Sequence, residues 1–232
     1  MYLLSIIYIL LIMTINCVVS RYNKNVYWVY RLKNIQKYYI YDKENPNNEY
    51  NIPVNKGQEA SAYLKYIIDH YDNLADFTFF THDDEYCWHH SGSIINKYNE
   101  AVTEVMRGKL YYNINDRCIL GSIVSHEWYN DILSWYNEYI EKYIPINILP
   151  EKDWTVGYRG SAQFLIHKSI ITQLPKQFYE DIYNWIITTD MPNAKTSRFL
   201  EFTWHIFWVI YPKYKMGLLN YNIRSFKKMS FK

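Results

Sequence analysis

Apolar positions along this chain recur with two periods, one suited to strands and one to helices. Val18 and Val19 lead into Ser20, Arg21, Tyr22 and Asn23, so residues 15–23 predict a first core strand that ends in polar groups. Tyr38 to Tyr41 predicts a second strand, Phe77 to Phe80 a third and Leu110 to Ile114 a further one. Ala62, Tyr63, Tyr66 and Ile67 fall at three- and four-residue spacing, which predicts an amphipathic helix over 59–71. The same spacing of Trp128, Ile132, Leu133, Trp135, Tyr136, Tyr139 and Ile140 predicts a core helix over 126–143. Further helices are predicted from Pro175 through Ile186 and over 197–211, while 92–106 reads as helical or mixed and 25–29 as a short helix or turn. Pro46 marks a polar loop at 42–49, Pro145 and Pro150 mark another at 144–154, and Gly157 to Gly160 marks a turn into a strand ending at His167. Strands alternating with helices predict one α/β domain with a mixed, mostly parallel central sheet flanked by helices.

Chemistry concentrates just after the third strand. Phe77 to Phe80 is followed by His82, Asp83, Asp84 and Glu85, then by Cys87, Trp88, His89 and His90. Open α/β sheets bind ligands at the carboxyl ends of their strands. Carboxylates gathered there repel one another unless a cation or a proton relieves them. The segment therefore points to a divalent cation, Mn²⁺ or Mg²⁺ by its oxygen-rich ligation, with an ordinary exposed polar loop as the plain alternative. His82, Glu85 and His89 are also sufficient to hold a transition metal, which supports a second class, a metal-dependent hydrolase with bound water as nucleophile. Cys87 reads either as a ligand or as a small buried residue. Lys56 and Gly57 precede the helix start at Glu59, an arrangement that suits an anion as well as an ordinary helix N-terminus. Glu201 and His205 are four apart and share one face of the last helix.

Composition narrows the class. With 232 residues, 49% hydrophobic and 21% charged, and only 7 glycines and 7 prolines, the chain is a packed domain rather than a disordered one. A formal charge of +2 gives no basis for nucleic-acid binding. The three cysteines Cys17, Cys87 and Cys118 form no Cys-x-x-Cys pair and no even framework. Residues 1–17 are apolar and read as a signal peptide or anchor, 18–212 as the domain and 213–232 as a basic tail. If the first strand begins near Ile15, only about a dozen apolar residues precede it, too few to span roughly 30 Å of hydrocarbon. Secretory or membrane association is expected if that leader functions, and membrane contact only through it. The chain lacks the P-loop, dinucleotide and nucleophile-elbow glycine motifs.

The order of short motifs carries a resemblance. Val18-Val-Ser-Arg-Tyr-Asn23, Asn55-Lys-Gly57 with Glu59 and Tyr63-Leu64, His82 to His89, Gly160 with Gln163-Phe164, and Leu200-Glu201 with Trp204-His205 together resemble an uncharacterised glycosyltransferase-like domain family of GT-A, Rossmann-like plan. That resemblance implies a divalent-metal-dependent glycosyltransferase, with a nucleotide sugar as donor and a hydroxyl of a glycan, lipid or protein as acceptor. It places Asp83 and Glu85, with Asp84 as alternate, at Mn²⁺ or Mg²⁺, and adds His89 and His205 as further metal ligands. Arg21, Asn23 and Lys56 fall on the nucleotide, with Trp88 and Gln163 on substrate. Glu201 becomes the general base, since a carboxylate on an apolar helix has a raised pKa. Its alternative is a buried carboxylate paired with Arg198, and that of His205 a hydrogen-bonded core residue. A non-catalytic carbohydrate- or nucleotide-binding module is the third class.

Overall fold

The run around Val18 folds as strand β1 (Ile15–Arg21), in a computed structural model that describes residues 13–45, 47–117, 119–120, 128–145 and 158–217. The first six residues of β1 are all buried. It lies between two parallel neighbours and is covered on both faces, hence its largely continuous apolar character. Those neighbours are β2 (Lys37–Asp42) and β3 (Phe77–His82), in a register that sets Ser20 between Tyr41 and His82. Further strands are β4 (Tyr111–Asn113), β5 (Ile119–Leu120), β6 (Tyr158–Arg159) and β7 (Phe164–His167). Among the described residues the central sheet has five strands in the order β2-β1-β3-β7-β4, with β7 antiparallel to both β3 and β4. All but β7 therefore point the same way. β5 and β6 form a separate antiparallel pair. The outcome is a mixed α/β fold with a mostly parallel sheet flanked by helices.

The helices are α1 (Glu59–His70), α2 (Ile94–Met106), α3 (Tyr129–Trp135), α4 (Lys168–Ile171), α5 (Lys176–Thr188), α6 (Asn193–His205) and α7 (Tyr211–Lys215); α1, α2 and α4 pack on the sheet, and α5 packs on α1. Successive strand residues face opposite layers. Val18, Phe80, Phe164 and Ile166 join the larger core with Tyr63, Ile182, Phe199 and Trp204. Cys17, Val19, Phe79 and Leu165 join the smaller one with Trp28, Ile94, Tyr98 and Ala101. Trp28 stands in a short 3-10 turn, Tyr27–Arg31, where a short helix or turn was expected.

β1 begins at Ile15, where the strand reading of residues 15–23 starts it, and so takes in the end of the segment also read as a leader; Cys17 is fully buried. Residues 1–12 and 218–232, with most of the leader and tail, lie outside the described residues, as does most of the loop at 144–154. Among the described residues no helix is long and apolar enough to cross a membrane. The last helix begins at Asn193 rather than Ser197, because the Pro192 carbonyl accepts N–H bonds from Lys195 and Thr196 and starts the helix there. It continues through a wider π-type turn, Ile206–Ile210, into α7. Pro212 lacks an N–H and its ring crowds the carbonyl four residues back, so the turn before it opens.

Gly57 joins the loop after β2 to α1 with φ +68°, and a Cβ there would sit 2.6 Å from Ile186 Cγ2. Gly92 has the same sign of φ, +72°, but open space around it. Both substitutions strain the backbone, and only Gly57→Ala also overpacks the core. Gly57→Ala should lower unfolding stability by about 2–4 kcal/mol and Gly92→Ala by about 1 kcal/mol. Urea denaturation midpoints check this. Equal losses would show that Ile186 yields freely.

Candidate functional site

The parallel strands end together, and their polar ends form one edge. At that edge Arg21 pairs with Asp42 across β1 and β2, while Arg21 Nε donates to the Lys24 carbonyl at 2.7 Å. Asn23 adopts φ +55° and its N–H donates to Glu44 Oε2 at 2.7 Å, turning the chain after β1. The three acids that follow β3 separate. Asp83 is buried, its Oδ2 accepting from the Tyr22 N–H at 2.7 Å and its carbonyl from Trp28 Nε1 at 3.1 Å. Burial pushes its carboxyl up, against the Tyr22 N–H. Asp84 pairs with Lys24, whose ammonium also lies 3.9 Å from Asp83. Glu85 turns the other way, pairs with Arg31 and accepts from Ser93 Oγ at 3.0 Å ahead of α2.

Mg²⁺ or Mn²⁺ requires several free oxygens converging at about 2.1 Å. Here Lys24 occupies the position between Asp83 and Asp84, and Glu85 is held apart by Arg31. As placed, these residues do not fit such an ion. His205 is buried at the end of α6, and burial pushes its imidazole down to about 3. It lies outside the group of converging ligand atoms at this edge. Gln163 is fully buried and tied to Thr81, Asn115 and Cys87, which makes it a structural brace. Trp88 is 62% exposed with its ring 4.1 Å from that of His89. Lys56 is half-buried ahead of α1. Glu59, the first residue of α1, puts an acid of the chain's own in that first turn.

Glu59 belongs to a buried ionic group that sequence reasoning did not assemble. Glu59 and Glu201 are 9% and 7% exposed. Burial and then the charge of Glu201 push the Glu59 carboxyl up to about 8. Burial also raises Glu201, opposed by Arg198, which donates to Glu201 Oε2. Lys43, on the loop after β2, is pushed down by burial, with Glu59 and Asp83 acting against that shift. The pairing of Glu201 with Arg198, foreseen as an alternative, is therefore present. The signal for Glu59 was weak: an acid in a first helical turn is commonplace.

The same edge holds a second group. His82 Nε2 lies 3.3 Å from His89 Nδ1, and the ligand atoms of His82, Cys87 and His89 are all within 4.8 Å of one another. Burial, then the neighbouring imidazole, pushes His82 down to about 3; burial, then His90, pushes His89 down to about 4. The charge of Arg198 is felt by both His89 and Glu201, so the two groups lie on the same side of the sheet edge.

The edge thus defines an α/β protein with a cluster of ionisable groups at the carboxyl ends of its parallel strands. A family model described as "Protein of unknown function (DUF3431)" matches residues 17–216, and the chain belongs to that family. No curated protein and no solved structure matches it.

A carboxyl raised in the folded state keeps a proton that the unfolded chain has released. Stability contributed this way is full at low pH and falls as pH climbs from 4.5 towards 8. Replacing Glu59 by Gln removes that loss, at up to about 1.4 kcal/mol per pH unit. Thermal melts at about pH 5 and about pH 8 should show the parent losing more stability than Glu59→Gln. Parallel pH profiles would mean that Glu59 titrates as it does in the unfolded chain.

Proposed function

We propose that this chain transfers a glycosyl group from a nucleotide sugar to a hydroxyl acceptor. The buried pair Glu59 and Glu201 beside Arg198, at the sheet edge where such folds take ligands, is the observation that carries the reading. Two neighbouring acids in a desolvated place hold one proton between them near neutral pH. The reading needs Glu201 to be the ionised member; Arg198 acts in that direction, against the burial that raises it. Glu201 removes the proton from the acceptor hydroxyl as its oxygen attacks the anomeric carbon. The bond to the nucleoside diphosphate breaks, and the diphosphate leaves with the electron pair.

Charge on that leaving group is the main electrostatic demand of the reaction. Lys43 and Arg198, which act on the buried acids, supply the nearest positive charge in this reading; Lys24, Arg21 and Arg31 would contribute only by giving up Asp84, Asp42 and Glu85, their partners here. Mn²⁺ or Mg²⁺ on Asp83 to Glu85 is left out of this reading, because Lys24 and Arg31 occupy those acids. The exposed ring of Trp88 offers a stacking face for a sugar at the rim. The GT-A plan suggested by the motif order shares the donor and the base Glu201 with this assignment but implies a metal that it omits; the plan is an analogy of fold and weighs less than the site.

A thermal-shift panel of nucleotide sugars, with and without Mn²⁺ and coupled to product detection, tests the reading. At least one nucleotide sugar should raise the melting temperature and be consumed when a hydroxyl acceptor is present, with little change on adding Mn²⁺. Glu201→Gln should keep the shift and lose roughly 10²–10⁴-fold in turnover. Consumption with water alone would favour a hydrolase, and a shift without turnover a binding module. No shift with any nucleotide sugar would end the proposal.

A further inference from the structure

Three side chains that the transferase reading leaves unused meet where β3 passes into the loop before α2. His82 ends the strand, and Cys87 and His89 follow in the loop, all of them half-buried and within reach of solvent. The two ring nitrogens are 3.3 Å apart, and the cysteine sulfur completes a triangle with no side longer than 4.8 Å. A tetrahedral ion with nitrogen ligands at about 2.0–2.1 Å holds them about 3.3 Å from each other, and a sulfur at about 2.3 Å stands roughly 3.5 Å from each nitrogen. The nitrogen pair already has that spacing, and the sulfur has on the order of 1 Å to close.

The surroundings of the sulfur are an independent sign. Gln163 Nε2 approaches it at 3.5 Å, and the backbone N–H groups of His89 and His90 are also directed at it. Burial pushes the Cys87 thiol up and these N–H donors oppose that; they leave the sulfur positioned beside both imidazoles, where an ion would draw off its proton. Asp84 is the negative charge that acts on His82, Cys87 and His89 alike, while Lys24 and Arg198 are the opposing positive charges. One thiolate with two imidazoles suits zinc and its softer neighbours, not Mg²⁺ or Mn²⁺.

We propose that His82, Cys87 and His89 bind a zinc-class transition-metal ion whose fourth position is open to water. Three protein ligands with an accessible fourth position is the pattern of catalytic rather than closed structural zinc sites. The competing arrangement is a plain hydrogen bond between the two imidazoles, with no ion.

Metal-stripped protein titrated with Co²⁺ distinguishes them. One equivalent of Co²⁺ should produce visible ligand-field absorption with a sulfur-to-cobalt charge-transfer band. Zn²⁺ should displace it, and Mn²⁺ and Mg²⁺ should not. Cys87→Ser should abolish the charge-transfer band, and both Cys87→Ser and His89→Ala should weaken Zn²⁺ binding by more than about 100-fold. Circular dichroism confirms that each variant is folded. Should a variant fail to fold, alkylation of Cys87 by iodoacetamide in the parent decides, since Zn²⁺ should slow it strongly. Absence of stoichiometric binding, variants that bind as the parent does, or alkylation indifferent to Zn²⁺ would each overturn the proposal. Metal binding is measured without any nucleotide sugar, so its failure leaves the transferase reading untouched.

Discussion

The side-chain amide of Gln163 is the constraint on which the edge of this sheet depends. It is fully buried, and its oxygen accepts from Thr81 on β3 while its nitrogen serves Asn115 and Cys87. Its backbone carbonyl accepts from Ile114 and from the Asn115 side chain. One residue thereby ties β3, the segment after β4 and the loop that carries Cys87 and His89. Stranding any of these buried donors or acceptors costs about 1–3 kcal/mol, far more than a made bond contributes net. The imidazole and thiol positions follow from this network of neutral groups rather than from ion pairs.

Charge is then distributed over this neutral frame in two ways. At the exposed rim, Lys24 and Arg31 are half in water, and their pairs with Asp84 and Glu85 add little to stability. Deeper, Glu59, Glu201 and Lys43 have lost most of their hydration, and their protonation rests on one another and on Arg198. Such a group is expensive to keep for packing alone, which is why the buried acids weigh more heavily in assigning function than the rim acids.

Much of the fold was legible in the sequence. The strands at Val18, Tyr38 to Tyr41 and Phe77 to Phe80, and the helices from Glu59 and from Pro175, follow directly from apolar spacing. What spacing does not carry is direction, so the reversal of β7 emerged only with the pairing of Phe80 and Phe164. The site was legible as a place, less so as a set of partners. Counting acids after β3 finds Asp83, Asp84 and Glu85 but is blind to Lys24 and Arg31, which arrive from the far end of β1. Glu59 was hidden in an unremarkable first turn. Cys87 was open between two roles because its distance from His82 and His89 depends on a loop whose path no local pattern specifies.

The placement of β7 has a consequence for how the chain is made. Among the described residues β4 pairs only with β7 in the central sheet, and β3 meets β7 along its outer flank. During synthesis, both strands leave the ribosome well before Phe164 does, so β4 has no seat and one side of β3 carries unmatched peptide groups. An uncovered strand flank of that kind recruits other chains. The nascent protein is therefore most prone to aggregate in the interval before β7 inserts, and truncations short of His167 inherit that hazard permanently.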